Sequence, residues 1–308
     1  MARMNTQHFT LLLGGLSGSC GLAYEIAYAR LFSNYFGSAF SVTATILTCL
    51  FLGMAAGAWA SRRFAGWLPV IELLIGVHAV IAVTILHHFQ FAIVSTADAP
   101  AIINVAKIAG FIVLPALLIG ACVPLFADRL QRLKQAGKPG RSFSLMYAIY
   151  NLGALASIIA IEFVLIRELG LRLTIYMIAA INVIVAAGLF LTRLTPQVPE
   201  PAAGRWPRPD IAAAVFIASL VSGIFQLYVL QVSFQLFGPL QENFAIVLAT
   251  ALFGLFAGAA AAWRKSPRIA PVLVAAGLCT IGFVLAQSVV IETWDAVQRF
   301  DPGPLAAT

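Results

Sequence analysis

Apolar runs of about 20 residues recur along the whole sequence, at 10–33, 40–60, 68–91, 101–126, 143–166, 171–191, 211–235, 243–262 and 269–290. Coiled as a helix, each is long enough to cross about 30 Å of hydrocarbon. The residue balance agrees, with 61% apolar and 10% charged residues, against about 45–50% and about 25% in a soluble globular chain. The expected fold class is therefore all-α, a polytopic transmembrane helix bundle of about nine spans in a lipid bilayer.

The net charge of +7 raises the question of a nucleic-acid partner. The basic residues stand in short gaps between apolar runs, without the basic–aromatic patch that binds nucleic acid, so no such partner is expected. They follow a pattern instead. The second connection holds Arg62 and Arg63, and the fourth holds Arg129, Arg132, Lys134, Lys138 and Arg141. The sixth holds Arg193, Arg205 and Arg208, and the eighth Arg264, Lys265 and Arg268. Among odd connections only the fifth is basic, with Arg167 and Arg172. The positive-inside rule then places the N-terminus and all even connections in the cytoplasm, in what is expected to be a bacterial inner membrane. The tail 291–308 falls on the outer side if 269–290 crosses fully. The opening MARMNTQHFTLLLGGLSGSC has the layout of a signal peptide ending in a lipobox-like cysteine. Ser17 stands where an aliphatic residue is expected, and the run continues past Cys20, so it reads as an uncleaved first span. Cys20, Cys49, Cys122 and Cys279 form no metal-binding spacing and read as small packing residues.

Residues 193–210 are rich in proline, which fixes its own dihedral and lacks an N–H, and read as an extended cytoplasmic linker. The expected domains are a six-span block at 1–192, that linker, a three-span block at 211–290 and the polar tail. The second block looks like a partial repeat of the first. SGSCGLAYEIAYARLF (17–32) aligns with SGIFQLYVLQVSFQLF (222–237), and LGMAAGAWASRR (52–63) with FGLFAGAAAAWRK (253–265). Leu230 then stands opposite Glu25 and Gln235 opposite Arg30, so a span of this kind does not need the two charges to form. Repeats of this sort are common in transporters.

The first six runs resemble the membrane portion of the spermidine-synthase-like proteins, described as fused major-facilitator/spermidine synthase proteins. The resemblance is carried, in order, by SGSCGLAYEIAYARLF, LGMAAGAWASRR, IELLIG (71–76), LLIGACVPLFADRL (117–130), SLMYAIYNLGALAS (144–157) and ELGLR (168–172). It implies a relation to polyamine chemistry. Such proteins commonly continue into a soluble aminopropyltransferase-like domain of Rossmann type. These 308 residues contain no Gly-rich turn after a strand and no acidic polyamine pocket. The expectation is a chain that is not itself an enzyme and carries no cofactor, with a separately encoded synthase partner left open.

Ionisable groups inside the apolar runs are the candidate functional residues, because a charge at the bilayer centre costs about 2.5–3.5 kcal/mol and must face a partner or a hydrated cavity. Glu25 lies deep in the first run, whereas Arg30 is near its end and can reach the interface. Glu25, Tyr28, Lys107 and Glu162 form one outward-facing site if the first, fourth and fifth runs meet. Alternatively Lys107 and Glu162 simply neutralise each other, and Glu25 is a structural packing group. The family pattern usually has a small residue where Glu162 stands, so that carboxylate is a departure. Glu72 and His78 are six apart, too oblique to share a metal, and no metal site is expected. Asn151 is expected to bond across helices, and the GxxxG pairs Gly53/Gly57 and Gly254/Gly258 to mark close helix packing. Two functional classes follow. One is a transporter-like module binding or moving a small cationic solute related to polyamines. The other is a structural or accessory subunit of a larger membrane complex or homo-oligomer.

Overall fold

The computed structural model describes residues 2–36, 40–89, 100–134, 139–192, 209–238, 241–264 and 269–300. Nine α-helices occupy them and no strand is present among them: α1 (Ala2–Phe36), α2 (Phe40–Ala60), α3 (Leu68–His88), α4 (Ala101–Lys134), α5 (Pro139–Ala160), α6 (Ile166–Leu191), α7 (Pro209–Phe237), α8 (Gln241–Arg264) and α9 (Ile269–Phe300). Each apolar run of the sequence is thus helical where it is described, apart from Phe89, which ends α3 in a turn. Residues 90–91 of the third run, most of the proline-rich linker and the end of the tail lie outside the described residues. The rest of the expected tail continues α9 as far as Phe300.

The fifth and sixth runs are joined without a loop. A π turn (Ile161–Leu165) follows α5 directly, and Gly170 in α6 leaves the helical region with φ 75° and ψ 162°. Positive φ is costly for a residue with a Cβ, so this glycine permits the bend. Seven continuous helical stretches are long and apolar enough to cross a membrane. One of them covers 52 residues, 140–191; at about 1.5 Å per residue it is more than twice the hydrocarbon thickness. In α9 the apolar stretch is shorter, Val274–Ala286.

The described residues divide into two units. The first contains α1–α6 and α8, the second α7 and α9. The division does not follow chain order, because α8 packs against α5 in the first unit. Both ends of α8 are held there by polar contacts: Glu242 meets Arg167, and Arg141 Nε donates to the Trp263 carbonyl at 3.1 Å. In the second unit, Phe225 and Tyr228 of α7 meet the edge of the Phe283 ring on α9.

Within the first unit α1 is the central helix, packed against α2, α4, α5 and α6. Every residue from Cys20 to Ala29 is buried. A helix apolar on nearly all sides has no face to give to solvent or lipid, so its place is the middle. Glycines set its distance from α5: the Gly18 position abuts the Tyr150 carbonyl, and Gly153 abuts the Gly15 carbonyl. Outward positions carry large apolar side chains such as Trp59, Leu74, Ile81, Ile184 and Leu191. A surface of that kind is unfavourable in water and suited to lipid.

The two ends of this unit differ chemically. At one end Gln7 donates to the Leu133 carbonyl at 3.2 Å, and Arg129 Nη2 donates to the carbonyl and hydroxyl of Thr192 at 2.5 and 2.7 Å. The ends bordering the basic even connections therefore lie together. Arg30, Glu162, Arg167 and Glu242 gather at the other end.

Candidate functional site

Three levels of buried polar groups follow one another along α1. Ser17, Glu25 and Arg30 are eight and five residues apart, or about 12 Å and about 7 Å of helix rise.

At the level of Arg30 the guanidinium makes a two-pronged contact with Glu162. Nε donates to Oε2 at 3.0 Å, and Nη2 bonds Oε1. The planar fork of arginine matches a carboxylate in this way. Glu162 is 0% exposed and the Arg30 side chain 22%, so one member is wholly dependent on the other. Glu242 adds a second carboxylate, 3.9 Å from Arg30 and 3.3 Å from Arg167. The cluster thus balances two positive charges against two negative ones and ties together α1, the π turn, α6 and α8. The π turn matters here: a π turn inserts one extra residue into the helix and re-aims the side chains around it, and Glu162 lies within it.

From sequence, Arg30 is expected to reach the interface and Lys107 to neutralise Glu162. In the structure Arg30 turns inward and takes Glu162 itself. Lys107 lies 5.7 Å from the centre of the Phe36 ring and within 3.4 Å of Asn104 Oδ1. Phe36 is eleven residues beyond Glu25 on α1, about 16 Å along the axis, so Lys107 and Glu25 are not brought together.

Glu25 occupies the middle level. It is 0% exposed, and both carboxylate oxygens are buried without a hydrogen-bond partner. Gly14, Gly18, Gly21 and Glu25 recur at spacings of four, three and four, which places them on one face of α1. The glycines on this face look onto Met146 and Tyr150 of α5 and Ile119 of α4. Glu25 therefore faces the seam between α4 and α5. Tyr28 is buried nearby, with its ring stacked beside Tyr24 at 6.0 Å and its hydroxyl 3.4 Å from His78 Nδ1.

At the third level the sequence offers Glu72 but not its partners. Glu72 of α3 is fully buried, Ser17 Oγ donates to its Oε1 at 2.5 Å, and Asn182 Nδ2 of α6 donates to its Oε2 at 2.7 Å. Tyr24 closes the chain by donating to Asn182 Oδ1 at 2.9 Å. This network joins α1, α3 and α6 through side chains alone.

The packing residues separate into two kinds. Gly53 and Gly57 lie against α4, where a Cβ at Gly53 would come within 2.5 Å of the Ala116 methyl and one at Gly57 would overlap the Leu117 carbonyl. At Gly254 and Gly258 an added Cβ meets nothing within 4 Å. Asn151 donates to the Tyr147 carbonyl of its own helix at 2.7 Å rather than across helices. Cys20, Cys49 and Cys122 are buried, whereas Cys279 is exposed. No cluster of His, Cys, Asp or Glu that could hold a metal occurs among the described residues. An open groove of about 700 Å³ between α1, α5 and α6 is lined almost entirely by apolar atoms and offers nothing to a cation.

Helices long and apolar enough to cross a membrane, with ionisable groups turned inward, define a polytopic helical membrane protein. In sequence the chain is 29% identical over 195 residues to polyamine aminopropyltransferase 2 of Streptomyces coelicolor, a match covering 59% of this chain and 34% of that protein. The chain is thus distantly similar to a polyamine aminopropyltransferase, and the match spans about a third of that protein's length. No family model matches the sequence. No solved structure matches it either.

Proposed function

We propose that this chain is a transporter-like membrane module that binds a small cationic solute of the polyamine kind, with Glu25 as the binding carboxylate. The observation that carries this reading is the state of Glu25, wholly buried with both oxygens unpartnered. A carboxylate in that position is costly unless something neutralises it. An ammonium group supplies both the charge and the N–H donors that the surrounding helices do not. The relative's name refers to polyamines, which are chains of such groups. Enclosure on every side suits an occluded step of alternating access, in which the seam of α1, α4 and α5 opens to one side at a time. In this reading the membrane is the bacterial inner membrane, crossed about nine times with the N-terminus in the cytoplasm. The chain binds its solute without transforming it, and any aminopropyl transfer belongs to a separately encoded partner.

Native mass spectrometry of the gently extracted protein with added spermidine tests this. Wild type is expected to retain spermidine, and Glu25→Gln to bind it at least tenfold more weakly, since a charge-assisted hydrogen bond is worth about 1.5–3 kcal/mol. Equal binding by the two forms would refute the assignment. One observation favours the second reading, an accessory subunit: the open glycine face of α8 at Gly254 and Gly258 has room for a helix of another chain. Another membrane protein retained by both forms, with no spermidine bound, would decide for that reading.

A further inference from the structure

Glu72 is a buried carboxylate that the Glu25 reading does not use, and its surroundings differ in kind. Both its oxygens already hold protein donors, Ser17 on one and Asn182 on the other. The titratable groups bordering it come from three helices: Cys20 and Tyr24 of α1, Cys122 of α4 and Tyr150 of α5. From α6 it meets the neutral amide of Asn182, and His78 of its own helix turns to Tyr28 instead. Thiols, phenols and an amide bring dipoles but no positive charge. Among the described residues no Lys or Arg forms an ion pair with Glu72.

An ion taken out of water and given only neutral donors does not recover what it loses in solvation. The missing positive charge must therefore be small. Glu72 is fully buried with a protein donor on each oxygen, so an ammonium or a metal ion would need space opened among the helices, whereas a proton needs none. We propose that Glu72 is a proton-binding site, distinct from Glu25. As the neutral acid, its O–H donates to Ser17 Oγ, while Oε2 goes on accepting from Asn182. When the proton leaves, the Ser17 hydroxyl becomes the donor and the heavy atoms need not move. Each change of occupancy takes up or gives out one proton at the junction of α1, α3 and α6, about 12 Å along α1 from the solute carboxylate.

Infrared spectroscopy of the full chain in lipid nanodiscs, in H2O and D2O at neutral pH, reads this directly. Wild type is expected to show the carbonyl stretch of a protonated carboxylic acid, moving down on deuteration. A component of that band should vanish in Glu72→Gln and persist in Glu25→Gln. An acid band unchanged in Glu72→Gln, with the loss falling in the ionised-carboxylate absorption, overturns the proposal. Ser17→Ala keeps the carboxyl and removes one partner, so the acid band should remain and shift in frequency. A band that does not move overturns the proposal as well. The spectrum reports on Glu72 whatever the spermidine experiment returns for Glu25.

Discussion

Arg30→Ala should lower the thermal midpoint of the purified protein by roughly 10 °C, and Glu162→Ala by about half as much. The asymmetry follows from burial. Removing the arginine strands Glu162, which is 0% exposed and has no other partner among the ion pairs of the described residues. Breaking a buried pair from one side typically costs about 3–5 kcal/mol, and a chain of this size loses about 2–4 °C per kcal/mol. Removing the glutamate instead leaves Arg30 with Glu242 already 3.9 Å away and with part of its side chain at the surface. In the double variant Arg30→Gln/Glu162→Gln no charge is left unpaired in the interior, and most of the loss should return. Scanning fluorimetry of the four proteins in one detergent suffices. If Glu162→Ala proves as damaging as Arg30→Ala, Glu242 does not serve as the second partner. Two silent variants would mean that the pair does not hold the helices at all.

The opposed charges in GLAYEIAYARLF were legible as an anomaly, but their partners were not. Glu25 and Arg30 are five residues apart, about 140° around the helix, so the sequence excludes a direct pair and points each toward a different neighbour. Which neighbour depends on packing. Arg30 finds Glu162 because a π turn re-aims that carboxylate, and nothing in the run around Glu162 announces a π turn. The apolar runs, by contrast, located the helices closely, because twenty apolar residues in a row have few alternatives to a membrane helix. Even the bend at Gly170 falls in the gap between the fifth and sixth runs. The Glu72 network was within reach. Ser17, Glu72 and Asn182 are polar residues within the first, third and sixth runs, and the alternating direction of the runs gives them similar depth. Assembly was less accessible: the repeat pattern groups the last three helices, whereas α8 joins the first unit, burying Phe244, Leu248 and Leu252 and bringing Glu242 to two arginines there.

Gly57→Leu should prevent a monodisperse, folded protein from being recovered, while Gly258→Leu should leave the lone chain as stable as wild type or slightly more so. The two glycines occupy aligned positions in the repeat, LGMAAGAWASRR against FGLFAGAAAAWRK, so local sequence does not distinguish them. Their surroundings do. A Cβ at Gly57 would overlap the Leu117 carbonyl oxygen and come within 2.8 Å of the Leu117 carbonyl carbon and 3.1 Å of the Ala121 nitrogen. Backbone atoms in the middle of a helix cannot step aside, so α2 and α4 would have to part along their whole seam. Overpacking a rigid contact costs about 1–3 kcal/mol, and the lost van der Waals contact between the helices adds to it. At Gly258 a side chain meets nothing within 4 Å, and leucine is a better helix former than glycine by roughly 0.5–1 kcal/mol. Size-exclusion chromatography with scanning fluorimetry reads both variants. A stable Gly57→Leu protein would mean that α2 and α4 do not approach this closely. A destabilised Gly258→Leu chain would mean that another surface of the same molecule already covers that face. If the lone chain keeps its midpoint while Gly258→Leu loses a partner that wild type retains in native membranes, the glycine face of α8 is where a second protein docks, and the accessory-subunit reading gains over the transporter one.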